Sequence, residues 1–211
     1  MIRDAFLVTA AEARDLIASR EVDRRWDEPS ALREMTIGAL AGHLARCAVV
    51  VEEYLDGPPP APGRLLTADQ YYVEGVALSD DIDDDLNRSV RDRSVAVAAA
   101  GAANLVAMVD DAVSRLHARL SAEPPDRAIA VIGGIAISLD EYLVTRLLEL
   151  SVHIDDLCVS LDRPTPDLSP VAAMCALGCM LQMARARHGD LAVLRSMARR
   201  ERDAVSALRV L

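Results

Sequence analysis

The chain has 211 residues, a length that fits one domain with a substantial hydrophobic core. Its composition is 52% hydrophobic but only 3% aromatic, which favours packed helices rich in Ala, Leu and Val over a β-sandwich. Acidic residues outnumber basic ones by 33 to 23, and the formal net charge of -10 argues against a general attraction to nucleic acid.

The amino terminus and the apolar stretches predict a cytoplasmic protein. Arg3 and Asp4 place charges where a signal peptide needs an apolar run. The apolar stretches 95–109 and 128–139 are shorter than the roughly 18 residues that cross a bilayer, so no membrane span is expected. Every basic residue is Arg, and together with the high Ala content this indicates the G- and C-rich codon usage of actinobacteria.

The first quarter of the chain predicts two helices. The first covers residues 3–19, whose apolar face consists of Phe6, Thr9, Ala13, Leu16 and Ile17. A polar stretch follows over 20–34, and Thr36 then caps a helix that runs to about Leu55. The proline-rich segment 56–63 ends this helix because proline lacks the amide hydrogen that a helix interior needs.

The middle of the chain predicts an irregular segment and then one long helix. Residues 65–87 give a mixed pattern with a short helical turn at Tyr71-Tyr72. The acidic run 80–85 is interpreted as a solvated loop before the next helix. Apolar spacing over 88–120 predicts a single helix, in which Gly101 allows close contact with a neighbouring helix.

The last third predicts a small β-hairpin and three further helices. Two apolar runs within 129–137 flank a Gly-Gly pair, the pattern of a hairpin turn. Ser138 and Glu141 have capping-box spacing before a strongly apolar helix that runs to Leu161. The remaining elements are a helix from Ser169-Pro170 to about Ala186, a short helix over 191–199 and a hydrophobic tail, 207–211, that is expected to pack back on the body.

The helix that ends at Leu161 contains a candidate metal-binding pair. Glu149 and His153 stand at positions i and i+4, so both side chains project from one helix face. Their neighbours are mostly apolar, and a buried carboxylate requires a partner. Imidazole nitrogen and carboxylate oxygen both suit zinc and related divalent ions. The alternative is a core histidine that is hydrogen-bonded to the glutamate of its own helix.

A third ligand would come from another helix, and His43 is the best candidate because it shares a helix face with the apolar residues Leu40 and Cys47. His117 and His188 are interpreted as surface or capping residues. Cys47, one turn after His43, allows a His-x-x-x-Cys site. None of the four cysteines forms a Cys-x-x-Cys pair, however, and buried reduced thiols are expected.

Two segments of the chain resemble one known family. Residues 26–44, WDEPSALREMTIGALAGHL, look like the beginning of the mycothiol-dependent maleylpyruvate isomerase N-terminal-domain family, within the DinB-like superfamily. Residues 141–157, EYLVTRLLELSVHIDDL, resemble the second signature of that family. A His on the second helix followed by a Glu-x-x-x-His on a later helix makes the match more specific than either segment.

The resemblance implies an all-α fold, an up-down-down-up four-helix bundle that forms a single domain over residues 1–211. It also implies a divalent metal, zinc or nickel, held by His43, Glu149 and His153. An open coordination position would bind mycothiol as a thiolate, which attacks a small electrophile in a transfer or isomerisation. The isomerase that this chain resembles is longer and has a separate C-terminal domain, so maleylpyruvate itself is not assigned as the substrate.

Two further residues are candidates for supporting this site. Arg146, three residues before Glu149, could anchor an anionic substrate or support a ligand, and an i,i+3 salt bridge with Glu149 is the alternative. Asp156, three residues after His153, could orient a metal-bound imidazole, and a solvated surface charge is the alternative.

The leading hypothesis is a metal-dependent, thiol-activating transferase or isomerase, a monomer or homodimer whose partners are a small-molecule thiol and an electrophile. One rival is a non-catalytic bundle that keeps a metal for stability and binds a small molecule or a protein partner. The other is a zinc module, similar to those of anti-sigma factors, built around His43 and Cys47. Substitution of Cys47 would abolish metal binding only in the last of these.

Overall fold

The chain is mostly α-helical in this computed structural model, which describes residues 1–77, 81, 83–124 and 126–198. Its helices are α1 (Ile2–Ile17), α2 (Arg20–Arg24), α3 (Ile37–Asp56), α4 (Ala68–Gln70), α5 (Asp85–Ala98), α6 (Ala102–Ala122), α7 (Leu139–Ser160), α8 (Pro170–His188) and α9 (Asp190–Ala198). A π-helical turn, Tyr71–Gly75, extends α4. Strands β1 (Ala128–Ala130) and β2 (Ala136–Ser138) pair antiparallel around a 3-10 turn, Ile132–Gly134. The predicted all-α class, the small hairpin and the short C-terminal helix are confirmed.

Helices α1, α3, α6 and α7 form a four-helix bundle. Both α1 and α3 pack against α6 and α7, so the four helices enclose a common core. The apolar face predicted for the first helix is buried in this core, and it includes the single Phe of the chain, Phe6. Outside the bundle, α5 packs on α3, α8 packs on α7, and α9 packs on α8.

The helix starts follow the predicted capping residues. The hydroxyl groups of Thr36 and Ser169 accept hydrogen bonds from backbone amides of the first turn at 3.1 and 3.2 Å. Ser138 accepts from the Glu141 amide at 3.4 Å. The Glu141 carboxylate accepts from the Ala68 amide at 2.8 Å, so it joins the start of α4 to the start of α7 rather than completing the predicted capping box.

The single helix predicted over 88–120 is wrong, because α5 and α6 are separate helices that meet at an angle of 101°. Gly101, with φ +82°, caps α6 in a backbone conformation that other residues rarely adopt. An added Cβ at Gly101 would meet no heavy atom within 4 Å, so this glycine supplies a bend and not the predicted close contact. Val95, which the apolar spacing over 88–120 would bury in a single long helix, is exposed.

The close contact that involves a glycine lies instead at Gly42, between α3 and α5. A Cβ at Gly42 would lie 2.5 Å from the backbone carbonyl oxygen of Ser94. The absence of a side chain at this position therefore lets α5 approach α3 at the level of the residue that follows Gly42, His43.

Several smaller expectations can also be compared with the structure. The short helix α2 lies within the stretch 20–34, which was described from the sequence only as polar. Within the described ranges, no single helix is long and apolar enough to cross a membrane, although α5 and α6 together would pass that test across their bend. The tail 207–211 lies outside the described residues, as do residues 80 and 82 of the acidic run.

Candidate functional site

The predicted site residues meet in a cavity of about 960 Å³. Its wall is formed by α3, α5, α7 and the turn Tyr71–Gly75, together with residues of neighbouring segments. The residues predicted from the sequence that line it are His43, Arg146, Glu149, His153 and Asp156. The fold therefore brings all five to one place, although His43 lies on a different helix from the other four.

Three donor atoms converge at the centre of this group. Oε2 of Glu149 lies 3.3 Å from Nε2 of His153 and 3.6 Å from Nε2 of His43. The two imidazole rings are nearly perpendicular, with centroids 4.5 Å apart. The three side chains are 16–18% exposed, so the donor atoms are largely shielded from bulk water but open to the cavity.

The orientation of His43 is set by Ser94 of α5. The Ser94 hydroxyl donates its hydrogen to the carbonyl oxygen of Val90 at 2.7 Å, so towards the imidazole it acts as an acceptor. Nδ1 of His43 lies 3.3 Å from the same hydroxyl oxygen and therefore carries the hydrogen. This tautomer leaves the lone pair of Nε2 directed at Glu149.

Equivalent contacts orient the two donors on α7. Nδ1 of His153 donates to the Asp156 carboxylate at 2.9 Å, which turns Nε2 towards Glu149. The hydroxyl of Tyr72 donates to Oε1 of Glu149 at 2.8 Å, so that oxygen is occupied and Oε2 is the one that faces both imidazoles. Each of the three converging atoms is thus held in place through the other polar atom of its own side chain.

The charges of this group follow from its burial and its contacts. Burial lowers the pKa of His43, and the neighbouring His153 lowers it further. Burial opposes the charged form of His153 as well, but Asp156 and Glu149 raise its pKa to about 9. Burial would raise the pKa of Glu149, yet its contact with His153 and the positive charge of Arg146 hold that pKa well below the usual range. In the metal-free protein at neutral pH, a proton on His153 therefore balances the Glu149 carboxylate.

The two separations from Oε2 of Glu149 are of the size found between ligands of one divalent cation. Separations of 3.3 and 3.6 Å exceed the 2.7–3.2 Å of ordinary N–H···O hydrogen bonds. Ligand atoms that bind one tetrahedral zinc ion at about 2.0–2.1 Å lie roughly 3.3 Å from each other. The donor types, two imidazole nitrogens and one carboxylate oxygen, are those that zinc and related ions take.

Cys47 adds a fourth donor to this region. Its thiol, a nitrogen of His43 and an oxygen of Glu149 all lie within 4.8 Å of one another. The side chain is buried, as predicted for core packing, and burial together with the negative charge of Glu149 raises the pKa of the thiol to about 12. Cys47 therefore lies against the site in its neutral form when no cation is present.

Arg146 is buried at the inner wall of the cavity, with 9% of its surface exposed. Its Nε donates to the Thr145 hydroxyl at 3.1 Å, and its guanidinium carbon lies 4.8 Å from the centre of the Tyr142 ring. It forms no ion pair with Glu149 or any other described carboxylate. The alternative predicted for Arg146, an i,i+3 salt bridge with Glu149, is therefore not formed.

The other two histidines lie apart from the converging donors. His117 is exposed on α6. His188, interpreted from the sequence as a capping residue, is the exposed last residue of α8, and it lies at the cavity wall.

Sequence reasoning did not identify the roles of Tyr72 and Ser94. Tyr72 was placed only in a short helical turn, and that turn is the π-helical segment next to the cavity. Ser94 falls inside the segment predicted as one continuous helix. A polar residue on the apolar side of that helix was the available signal, but its partner His43 is 51 residues away in the chain.

Comparisons with known proteins identify the family. Residues 8–158 match the family described as Mycothiol maleylpyruvate isomerase N-terminal domain. A crystal structure of a mutant of the mycothiol-dependent maleylpyruvate isomerase is similar, with 15% sequence identity, a TM-score of 0.49, and coverage of 88% of this chain and 68% of that chain. No curated protein matches the chain. Because the family match spans most of its length, the chain belongs to the mycothiol maleylpyruvate isomerase N-terminal domain family.

Proposed function

We propose that the protein is a divalent-metal-dependent enzyme that activates a small thiol, mycothiol, for reaction with a small electrophile by transfer or isomerisation. The observation that carries this proposal is the convergence of Nε2 of His43, Nε2 of His153 and Oε2 of Glu149 on the wall of a large cavity. Family membership supports mycothiol as the thiol.

His43, Glu149 and His153 would hold the metal, which we propose to be zinc, with nickel as the alternative. When bound, the metal supplies positive charge that favours the thiolate form of a thiol at neutral pH. Three protein ligands are the number found in catalytic zinc sites, which keep a further position for substrate or water.

The remaining residues prepare the site for this chemistry. Ser94 and Asp156 hold the imidazoles with Nε2 directed inward, and Tyr72 keeps one carboxylate oxygen of Glu149 occupied. These contacts reduce the reorganisation that metal binding requires. As a ligand, His153 would give up its proton, because a ligating imidazole must be neutral. A cavity of about 960 Å³ is at the upper end of the range typical of small-molecule sites, which suits a thiol and a second substrate together.

The proposal is tested by the metal content of untagged protein, measured by elemental analysis for the wild type and for Glu149→Ala. We expect near-stoichiometric metal in the wild type and its loss in the variant. Asp155→Ala is the matched control, because Asp155 lies on the same helix, is exposed and does not line the cavity. Metal at the wild-type level in Glu149→Ala, or no metal in the wild type after reconstitution, would contradict the assignment.

Catalysis is tested separately with mycothiol and model electrophiles. The rate of thiol consumption should fall to the uncatalysed rate in Glu149→Ala and remain unchanged in Asp155→Ala. Equal rates in the wild type and in Glu149→Ala would refute an enzymatic role even where metal is bound.

A structural metal site is the second candidate, and the position of Cys47 favours it. With Cys47 as a fourth ligand beside His43 and Glu149, the coordination would be closed, as in structural zinc sites. Cys47→Ser would then abolish metal binding, and a chelator would unfold the protein. Under the proposed function, Cys47→Ser keeps its metal, and chelation removes activity before stability.

We also propose that residues 1–211 act as one domain, located in the cytoplasm. The single domain is supported by the hydrophobic core, one cluster to which residues from α1 at one end and α9 at the other contribute.

A further inference from the structure

The cavity wall carries positive charge in a protein whose formal net charge is -10. Among the described residues, two carboxylates line the cavity, Glu149 and Asp156, and both are engaged by the site histidines or by Tyr72. The arginines on the same wall are Arg33, Arg46, Arg91, Arg93, Arg146 and Arg187. Arginine is therefore concentrated at the cavity, whereas acidic side chains predominate in the chain as a whole.

On the outer surface, many arginines pair with acidic side chains. Arg14 and Asp110, Arg115 and Glu52, and Arg119 and Asp56 each form ion pairs at 2.7 Å. Such pairing is expected where acidic groups are in excess.

Two arginines of the cavity depart from this pattern. Arg46 forms no ion pair or hydrogen bond with any described residue. Arg93 donates one hydrogen bond, from Nη1 to the Ser89 hydroxyl at 2.7 Å on its own helix, and it too has no carboxylate partner in the described part of the chain. Both side chains are half-buried. Half-buried guanidinium groups without a counter-charge, on a concave wall, are well suited to bind an anion.

The positions of Arg46 and Arg93 relate them to the candidate metal site. Arg46 lies on α3, one helical turn after His43. Arg93 lies on α5 next to Ser94, the residue that contacts Nδ1 of His43. The two arginines thus line the cavity from the two packed helices that carry His43 and its partner Ser94, and the buried Arg146 adds a third positive charge at the inner wall.

We propose that Arg46 and Arg93 form a binding site for the anionic group of a small-molecule ligand: a carboxylate, sulfonate or phosphate. That the anionic group belongs to the electrophile rests on the proposed function. Binding of the anion itself requires neither metal nor thiol. Each guanidinium presents several N–H donors in a planar fork that matches the oxygens of such groups. The anionic group would sit against α3 and α5, which leaves the rest of the molecule directed towards His43 and Glu149.

A pair of ligands that differ in charge tests this site. Chloronitrobenzoate and chloronitrobenzamide are nearly isosteric, and the first alone is anionic at neutral pH. Binding of each is measured by isothermal titration calorimetry to protein stripped of metal with a chelator. We expect the benzoate to bind at least tenfold more tightly than the amide, and added salt to weaken the benzoate alone.

Substitution then assigns the selectivity to the two arginines. Arg46→Gln and Arg93→Gln are each expected to weaken benzoate binding about tenfold, the effect of losing one charge-assisted contact, and to leave amide binding unchanged. Arg64→Gln is the control, because Arg64 is exposed, pairs with Glu74 at 3.0 Å and does not line the cavity. Thermal unfolding of each variant establishes that it is folded.

The proposal is overturned if the wild type binds both ligands equally or binds neither, or if both arginine variants keep the wild-type affinity for the benzoate. Its failure is distinguishable from that of the proposed function. Charge-selective binding by a protein that never takes up metal would leave the anion site standing alone. Metal-dependent thiol transfer without preference for the anionic electrophile would remove the anion site and leave the enzyme.

Discussion

Replacement of Tyr72 by Phe tests the organisation of the site through a residue that is not itself a ligand. The Tyr72 hydroxyl lies 2.8 Å from Oε1 of Glu149 and 3.1 Å from the carbonyl oxygen of Thr145. Its single hydrogen serves the carboxylate better, because a hydrogen bond to a charged acceptor is the stronger one. The side chain is only 2% exposed, so Tyr72→Phe keeps the ring packing and deletes this bond.

The expected magnitude follows from the charge and the burial of Glu149. Hydrogen bonds to charged groups contribute about 1.5–3 kcal/mol to stability, so the free energy of unfolding of the metal-free protein should fall by about 2 kcal/mol. The same bond holds Oε2 towards the two imidazoles. Loss of such an orienting partner lowers metal affinity by about 10- to 100-fold in known sites, and we expect a loss in that range.

Urea unfolding of the metal-free protein measures the first effect, and competition with a chromogenic chelator measures the second. Tyr71→Phe is the matched control: Tyr71 is the adjacent residue, its ring centroid lies 5.1 Å from that of Tyr72, and its hydroxyl makes no hydrogen bond with any described residue. This control should change stability by less than about 0.5 kcal/mol and leave metal affinity unchanged. Equal metal affinities in the two variants would refute the role assigned to Tyr72.

Three further outcomes follow from the packing and charges around the site. Gly42→Ala should destabilise the protein by about 1–3 kcal/mol, because the added Cβ would meet the Ser94 carbonyl. Gly178→Ala, whose added Cβ would meet nothing within 4 Å, should stabilise α8 by about 0.5–1 kcal/mol. Similar changes in the urea midpoint for both variants would contradict this. The charged form of His153 stabilises the metal-free protein fully below its unfolded pKa of 6.5. Up to about 3 kcal/mol of the free energy of unfolding should be lost as the pH rises through its folded pKa of about 9. A His153→Gln variant with the same pH dependence of unfolding as the wild type would contradict this. Asp156→Asn should lower the pKa of His153, and an NMR titration of metal-free protein that shows no change would exclude the contact as its cause.

The bundle was predictable because its helices carry their apolar residues at a regular spacing. The face of Phe6, Thr9 and Ala13 on α1 is buried as expected, and the ends set by Thr36 and Ser169 are where the capping residues indicated. These features depend on residues that are close in sequence. The same local evidence brought Glu149 and His153 to one helix face.

The contact of His43 with Glu149 was not available from spacing, since 106 positions separate them and they lie on different helices. His43 was the best candidate for a third ligand on its helix face alone, and the resemblance to a family then implied the pairing. The geometry adds what the resemblance lacks, which is the choice of atom: Nε2 on both imidazoles, selected by Ser94 and Asp156.

The error at Gly101 and the residues missed in the site have one physical cause. Apolar spacing continues on both sides of Gly101, and one glycine in a helical pattern does not by itself indicate a break. The bend turns α5 onto α3, where Gly42 leaves room for its backbone. Ser94 reaches His43, and Arg93 lines the cavity, only because of this arrangement.

The same helix therefore contributes to both parts of the site. Through Ser94, α5 selects the tautomer of His43, and through Arg93 it adds positive charge to the cavity wall. A displacement of α5 would disturb the orientation of a candidate metal ligand and the candidate anion site together. The two functions are thus coupled through the Gly42 contact, whereas Tyr72 and Asp156 act on the α7 donors alone.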